Sequence, residues 1–164
     1  MKRLSLSATR RVLEPALRRA LHAYWRFARA MTLGVRALII DEEGRIFLVK
    51  HSYVSGWHLP GGGVEAGETL GEALARELRE EGNIEITAAP RLHGLFFNNR
   101  ASRRDHVAIY LVRHFGQDRL PEPNREIIAC GFFDPNALPA ETTQGTRLRI
   151  EEVLQNKAPL STWR

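Results

Sequence analysis

Apolar positions change their period several times along the chain. From about residue 15 to residue 31, Leu17, Leu21, Tyr24, Trp25, Ala28 and Met31 recur at helical spacing. Pro15 suits the first turn of such a helix, and Arg18, Arg19, Arg26 and Arg29 occupy other parts of the wheel. Residues 32–41, with Leu33, Val35, Ala37, Ile39 and Ile40, read as a largely buried strand. Asp41-Glu42-Glu43-Gly44 is a turn, and residues 45–51 form a second strand through Ile46, Phe47, Leu48 and Val49. Two strands joined by a tight glycine-containing turn predict a hairpin. A helical segment of about three turns follows, between Thr69 and the stop at Gly82-Asn83. Residues 84–88, 91–98, 106–115 and 126–133 then read as strands, and Asp134-Pro135-Asn136 opens a short helical turn. A last helix runs from about residue 144 to residue 156 through Leu148, Ile150, Val153 and Leu154. Strands on both sides of a central helix, plus a terminal helix, imply an α/β fold with a mixed sheet sandwiched between helices.

The central helix carries the chemistry. Thr69 is its expected N-cap, with Glu72 three residues on as capping-box partner. Gly82 and Asn83 both tolerate the left-handed conformation that closes a helix. Glu77, Glu80 and Glu81 stand at i, i+3 and i+4, beside Leu74 and Leu78 on the packed side. Like charges at this spacing cost about 0.2–0.5 kcal/mol each, and they sit at the negative end of the helix dipole. A positive partner must offset this. Clustered carboxylate oxygens suit a hard divalent cation such as Mg²⁺ or Mn²⁺, although three acids on a helix also occur as a plain solvated face.

The whole stretch Gly62–Ile84 resembles the Nudix box. The pattern is carried by Gly62, Glu68, Arg76, Glu77, Leu78, Glu80, Glu81 and Ile84, with Asn83 where the family has a final glycine. Asn is the next best residue at positive φ, so the helix stop is expected to survive. Trp57, Leu59, Pro60 and Gly61 extend the resemblance upstream. It implies a Nudix-like α/β/α sandwich over residues 32–164, behind an N-terminal helix over residues 1–31. It also implies Glu77, Glu80, Glu81 and the Gly62 carbonyl as metal ligands. Either Glu77 or Glu80 orients or deprotonates water, and Arg76 holds Glu77 and Glu68 in place. A further acidic ligand is expected from a later segment, and Glu126 is the candidate because it precedes a strand. For the substrate, His51 ends the strand facing the box, and Arg103 and Arg104 lie in a loop suited to bind phosphate. Trp57 reads as a packing residue, as does at least one of Phe96 and Phe97.

The implied activity is Mg²⁺-dependent cleavage of a phosphoanhydride in a nucleoside diphosphate linked to another moiety, an ADP-ribose-like sugar or a dinucleotide, releasing a nucleoside monophosphate. Two alternatives stand beside it: a sanitising nucleoside triphosphate pyrophosphatase, and a non-catalytic module that senses a nucleotide. The complete run Arg76-Glu77-Leu78-Arg79-Glu80-Glu81 favours an enzyme.

Charge and composition qualify the picture. Of the 164 residues one is a cysteine, Cys130, which excludes an internal disulfide or a cysteine-based zinc site and reads as a small buried residue. No apolar run reaches membrane-spanning length, and the expected location is cytoplasmic. The net charge of +5 is uneven. Residues 1–36 hold nine Lys or Arg (Lys2, Arg3, Arg10, Arg11, Arg18, Arg19, Arg26, Arg29, Arg36) against Glu14, a net +8, and the rest carries 15 basic and 18 acidic residues, a net −3. The basic character therefore belongs to the N-terminal segment, not to the hydrolase body. The first helix is expected to dock on the body or on a second copy in a homodimer. Contact with an anionic membrane surface and a transit segment rank behind. Binding to a specific nucleic acid is not expected; the expected partner is a nucleotide-type small molecule.

Overall fold

The computed structural model describes residues 6–163, and the side chains of residue 15 and residues 17–163. Two units are distinguished, Met1–Met31 and Thr32–Arg164. The first holds α1 (Leu6–Ala28). Pro15 lies inside this helix, not in its first turn as the sequence suggested, and deprives it of one i→i−4 hydrogen bond. Tyr24 and Trp25 pack edge to face with ring centres 5.3 Å apart, and the Arg29 guanidinium lies 3.7 Å from the centre of the Trp25 ring. Lys2 and Arg3, and the side chains of Arg10, Arg11 and Glu14, lie outside the described residues. No helix among the described residues is long and apolar enough to cross a membrane.

The second unit contains β1 (Thr32–Ile39), β2 (Ile46–His51), α2 (Leu70–Gly82), β3 (Glu85–Ile86), β4 (Arg91–Phe97), β5 (Asp105–Val112), β6 (Phe115–Gly116), β7 (Ile127–Phe133) and α3 (Gln144–Leu154). The strand order β1-β5-β4 makes one mixed sheet, parallel between β1 and β5 and antiparallel between β5 and β4. A second ladder joins β2 to β7 antiparallel, and a short one joins β3 to β6.

The expected hairpin forms only at its turn. Ile40 and Ile46 make a single antiparallel bridge, and the strands then part, β1 to β5 and β2 to β7. The turn is tied by Asp41, whose carboxylate accepts from the Arg45 backbone and guanidinium, both at 2.7 Å. The expected strand over residues 106–115 is also divided. β5 stops at Val112, and Phe115 joins β6 beside Ile86.

Burial on both faces of β1 explains why most of it reads as apolar. Val35, Ala37 and Ile39 pack with Phe47, Val49, Ala73, Leu74, Leu78 and Ile84 under α2. Leu38 and Ile40 pack with Ile46, Leu48, Phe96, Ile109 and Ile150 toward α3. Both faces of the strand are thus covered, as the α/β/α arrangement requires.

Candidate active site

The site is built where the turn before α2 meets the last turns of that helix. Thr69 caps the helix: its hydroxyl accepts from the Glu72 N–H at 3.2 Å, and the Glu72 carboxylate accepts from the Thr69 N–H at 2.8 Å. Asn83 ends it at φ 51°, with its N–H donating to the Arg79 carbonyl. Substituting Asn for the family's glycine therefore leaves the stop intact. These caps fix which side chains of the last two turns face the core.

The glycine turn is pinned against β1 by two backbone bonds, Val35 N–H to Gly62 O and Ala37 N–H to Pro60 O, both 2.9 Å. Between them Gly61 adopts φ +134°, and a Cβ there would collide with the Val35 carbonyl. A Cβ at Gly62 would run into the Glu77 carboxylate. Glycine is thus needed twice, once for conformation and once for the approach of a charged side chain. The Gly62 carbonyl, an expected metal ligand, spends one lone pair on Val35.

The three helix carboxylates occupy different surroundings. Glu81 is buried, 5% exposed. Its Oε2 accepts from the Gly61 N–H at 2.7 Å, and its Oε1 lies 3.6 Å from His51 Nε2. Burial pushes its pKa up to about 7, against the pull of the Gly61 N–H and the Arg36 guanidinium. Glu77 is held by Arg76, Nη1 to Oε1 at 2.7 Å. Glu80 is the open one, its side chain 62% exposed and 3.6 Å from Arg76. Arg76 also grips both oxygens of Glu68, at 2.9 and 3.1 Å, and the Gly63 carbonyl at 3.1 Å. It thus ties the turn to the helix, and its two carboxylate partners raise its pKa further.

The tightest convergence of ligand atoms among the described residues joins Glu81 to two residues from other segments. One atom each of His51, Glu81 and Glu126 lies within 4.8 Å of the others. Glu126 is turned in just ahead of β7, its N–H bonded to Asn124 Oδ1 at 2.8 Å and its carboxylate to the Tyr53 hydroxyl at 3.1 Å. Burial, with the Arg36 charge second, holds the His51 pKa below its ordinary value. The imidazole is therefore neutral at pH 7 and keeps a lone pair for a ligand, and its Nδ1 is buried without a partner. A buried carboxylate, a second carboxylate and a neutral imidazole form a donor set that fits a divalent cation.

Arg103 and Arg104 lie in the exposed turn between β4 and β5. The Arg104 carbonyl accepts from the Thr32 N–H. Neither residue borders the hollow of about 360 Å³ beside the glycine turn, which is lined by Arg36, His58, Gly62, Gly63, Asp105 and Trp163 among others. Phe96 is fully buried, and Trp57 packs edge to face on Phe133 at 4.9 Å, as expected of packing residues. Cys130 is half-buried, and burial pushes its thiol pKa up.

Arg36 is the site residue that the sequence pattern hides. Chain order groups it with the basic N-terminal residues, yet it sits half-buried on β1 with its guanidinium beneath the glycine turn. Its Nη1 donates to the Leu59 carbonyl at 2.5 Å. Burial lowers its pKa, while Glu81, Tyr53, Glu77 and Asp105 hold it up. The only available signal was a cation inside an otherwise apolar strand.

The NUDIX domain model matches residues 31–153. The ADP-ribose pyrophosphatase of Methanocaldococcus jannaschii is 31% identical over 106 residues, 62% of this chain and 61% of that protein, which is less than two thirds of its length. Among solved structures, a MutT NUDIX hydrolase from Burkholderia pseudomallei superposes with a TM-score of 0.64 at 30% identity, over 74% of this chain and 97% of that one. An ADP-ribose pyrophosphatase from Streptococcus suis gives 0.60 at 25% identity, over 81% and 96%. With three quarters of its length inside the family model, and the box folded as the turn and helix described above, this chain belongs to the Nudix family.

Proposed function

We propose that residues 32–164 form a Mg²⁺-dependent hydrolase that cleaves the phosphoanhydride of a nucleoside diphosphate linked to another group, releasing a nucleoside monophosphate. The observation that carries this reading is the convergence of His51 and Glu126 on Glu81, a carboxylate whose proton affinity burial raises. The ADP-ribose pyrophosphatases among its relatives support the substrate class.

When bound, the cation supplies charge neutralisation at the phosphate oxygens and a more acidic water. Glu81, Glu126 and Glu77 would hold it, with Gly62 and His51 adjacent. Glu80 has the freedom to reorient and accept a proton from attacking water, because its carboxylate is exposed and only loosely engaged by Arg76. Arg76 keeps Glu77 and Glu68 aligned with the glycine turn. Arg36 fixes the turn from below through the Leu59 carbonyl and supplies standing positive charge near Glu81.

The test is a product assay with Mg²⁺ on a panel of nucleoside diphosphate sugars, dinucleotides and nucleoside triphosphates. Release of a nucleoside monophosphate from the diphosphate-linked class, lost in Glu81→Gln, is the expected result. Turnover of triphosphates alone would give the sanitising reading instead. Nucleotide binding without turnover of any substrate would make the domain a sensor.

A further inference from the structure

Resting on the hydrolase reading above, we infer that the hollow between the Gly62–Gly63 turn and Trp163 seats the base of the substrate, and that Asp105 selects an amino-bearing purine over uracil. The volume, about 360 Å³, lies in the range of small-molecule sites. Surface hollows of similar size elsewhere, such as those beside Arg79 and Arg119 or beside Arg91 and Arg113, do not include the glycine turn in their linings.

Both ends of this hollow are built. At one end Trp163 is fixed by the chain that returns along β4: Phe97 N–H donates to the Ser161 carbonyl at 2.9 Å and Trp163 N–H to the Phe97 carbonyl at 3.0 Å. Its ring leans edge-on against buried Phe96, centres 6.2 Å apart. The floor is bare backbone at Gly34 and Gly63, and a flat ring approaches such a floor closely.

Asp105 opens β5 opposite Thr32. The Thr32 hydroxyl donates to its Oδ1 at 2.6 Å and Asn98 Nδ2 to its Oδ2 at 2.7 Å. Those protons are spent on the carboxylate. Each carboxylate oxygen keeps further lone pairs, so this end of the hollow is rich in acceptors. These acceptors suit the N–H edge of a base, whereas the Arg36 guanidinium in the same lining and the glycine turn suit the diphosphate, which leaves the base at Asp105. Guanine offers two adjacent N–H donors, which a carboxylate takes bidentately. Adenine offers its exocyclic amino group. Uracil flanks its single N–H with two carbonyls, which would face the carboxylate.

Two measurements test this. The first is calorimetric binding of GMP, AMP and UMP to the protein without metal. The second is kcat/KM with Mg²⁺ for GDP-, ADP- and UDP-linked sugars, for the wild type and for Asp105→Asn, whose side chain has the same shape but adds donors. The expected result is at least tenfold preference for the purines in the wild type, carried by KM, and its collapse in Asp105→Asn through gained uracil binding. Equal binding of the three monophosphates, no binding of any, or an unchanged preference in Asp105→Asn would overturn the inference. If Asp105→Asn lowers the melting temperature and blurs its kinetics, the wild-type discrimination decides. Turnover without base preference sinks only the base assignment. Monophosphate discrimination without turnover sinks the hydrolase reading and leaves the base site standing.

Discussion

Glu81 and Arg76 show two opposite ways of placing a charge in one site, a few residues apart. Glu81 is buried with one N–H donor and a distant guanidinium, and without metal its proton affinity is raised to about 7. A carboxylate whose folded pKa lies above its unfolded value of 4.5 favours the folded state fully below the unfolded pKa. That contribution is lost as pH rises through the folded pKa. In metal-free protein, Glu81 is therefore expected to withdraw up to about 3 kcal/mol between the two values. Glu81→Gln should flatten that part of the stability-versus-pH curve, measured by urea unfolding in chelator, while abolishing Mg²⁺-dependent turnover. Saturating Mg²⁺ should restore the wild-type stability at pH 8 and leave the variant unchanged. Arg76 is the reverse case, a cation shared among Glu68, Glu77 and the Gly63 carbonyl. A lysine reaches one partner at a time and cannot reproduce the fork. Arg76→Lys is expected to lose roughly 10–100-fold in metal affinity or kcat with little change in melting temperature, which Mg²⁺ titration of the initial rate would show. The helix carboxylates were legible because their spacing along one helix fixes their mutual placement. Glu126 was legible only as an acid ahead of a strand. Arg36 was hidden because chain order groups it with the N-terminal cations, whereas strand pairing carries it into the site.

At the scale of elements, α2 is specified locally and the strands are not. Its caps are set by residues within three positions of the ends, so Thr69, Glu72 and Asn83 could be read directly and fold as read. The hairpin failed because a turn fixes only where two strands begin. Which neighbour each strand takes is decided by burial on both faces, and β1 buries one face under α2 and the other toward α3, with β5 and the glycine turn along its edges. The capping box also yields a pH signature. The Thr69 N–H and hydroxyl hold the Glu72 carboxyl below its ordinary pKa. Its contribution is therefore present above the unfolded pKa and lost as pH falls through the folded one. Thr69→Ala is expected to cost about 1 kcal/mol at pH 7. Glu72→Ala should lower the melting temperature at pH 7, with the difference closing below the ordinary carboxylate range. A melting-temperature series from pH 7 to pH 3 checks both.

For the whole molecule, charge and chemistry are segregated along the chain. Residues 1–31 hold eight of the 24 basic residues and one of the 19 acidic ones, a net +7, so residues 32–164 carry a net −2. The site residues described above all lie between Thr32 and Trp163, and the family match begins at residue 31. The carboxylates of the site thus lie outside the basic segment. Removing residues 1–31 is expected to leave kcat/KM within about twofold of the full chain, since each factor of ten corresponds to about 1.4 kcal/mol of lost transition-state stabilisation and no site residue is removed. The same deletion should reverse the protein's retention from cation to anion exchange at pH 7, because the sign of its net charge changes. Retained activity with reversed retention would place the basic helix outside catalysis. A large fall in kcat/KM with an unchanged melting temperature would instead show that the first 31 residues contribute to substrate capture, and would require a cationic role in binding the polyphosphate.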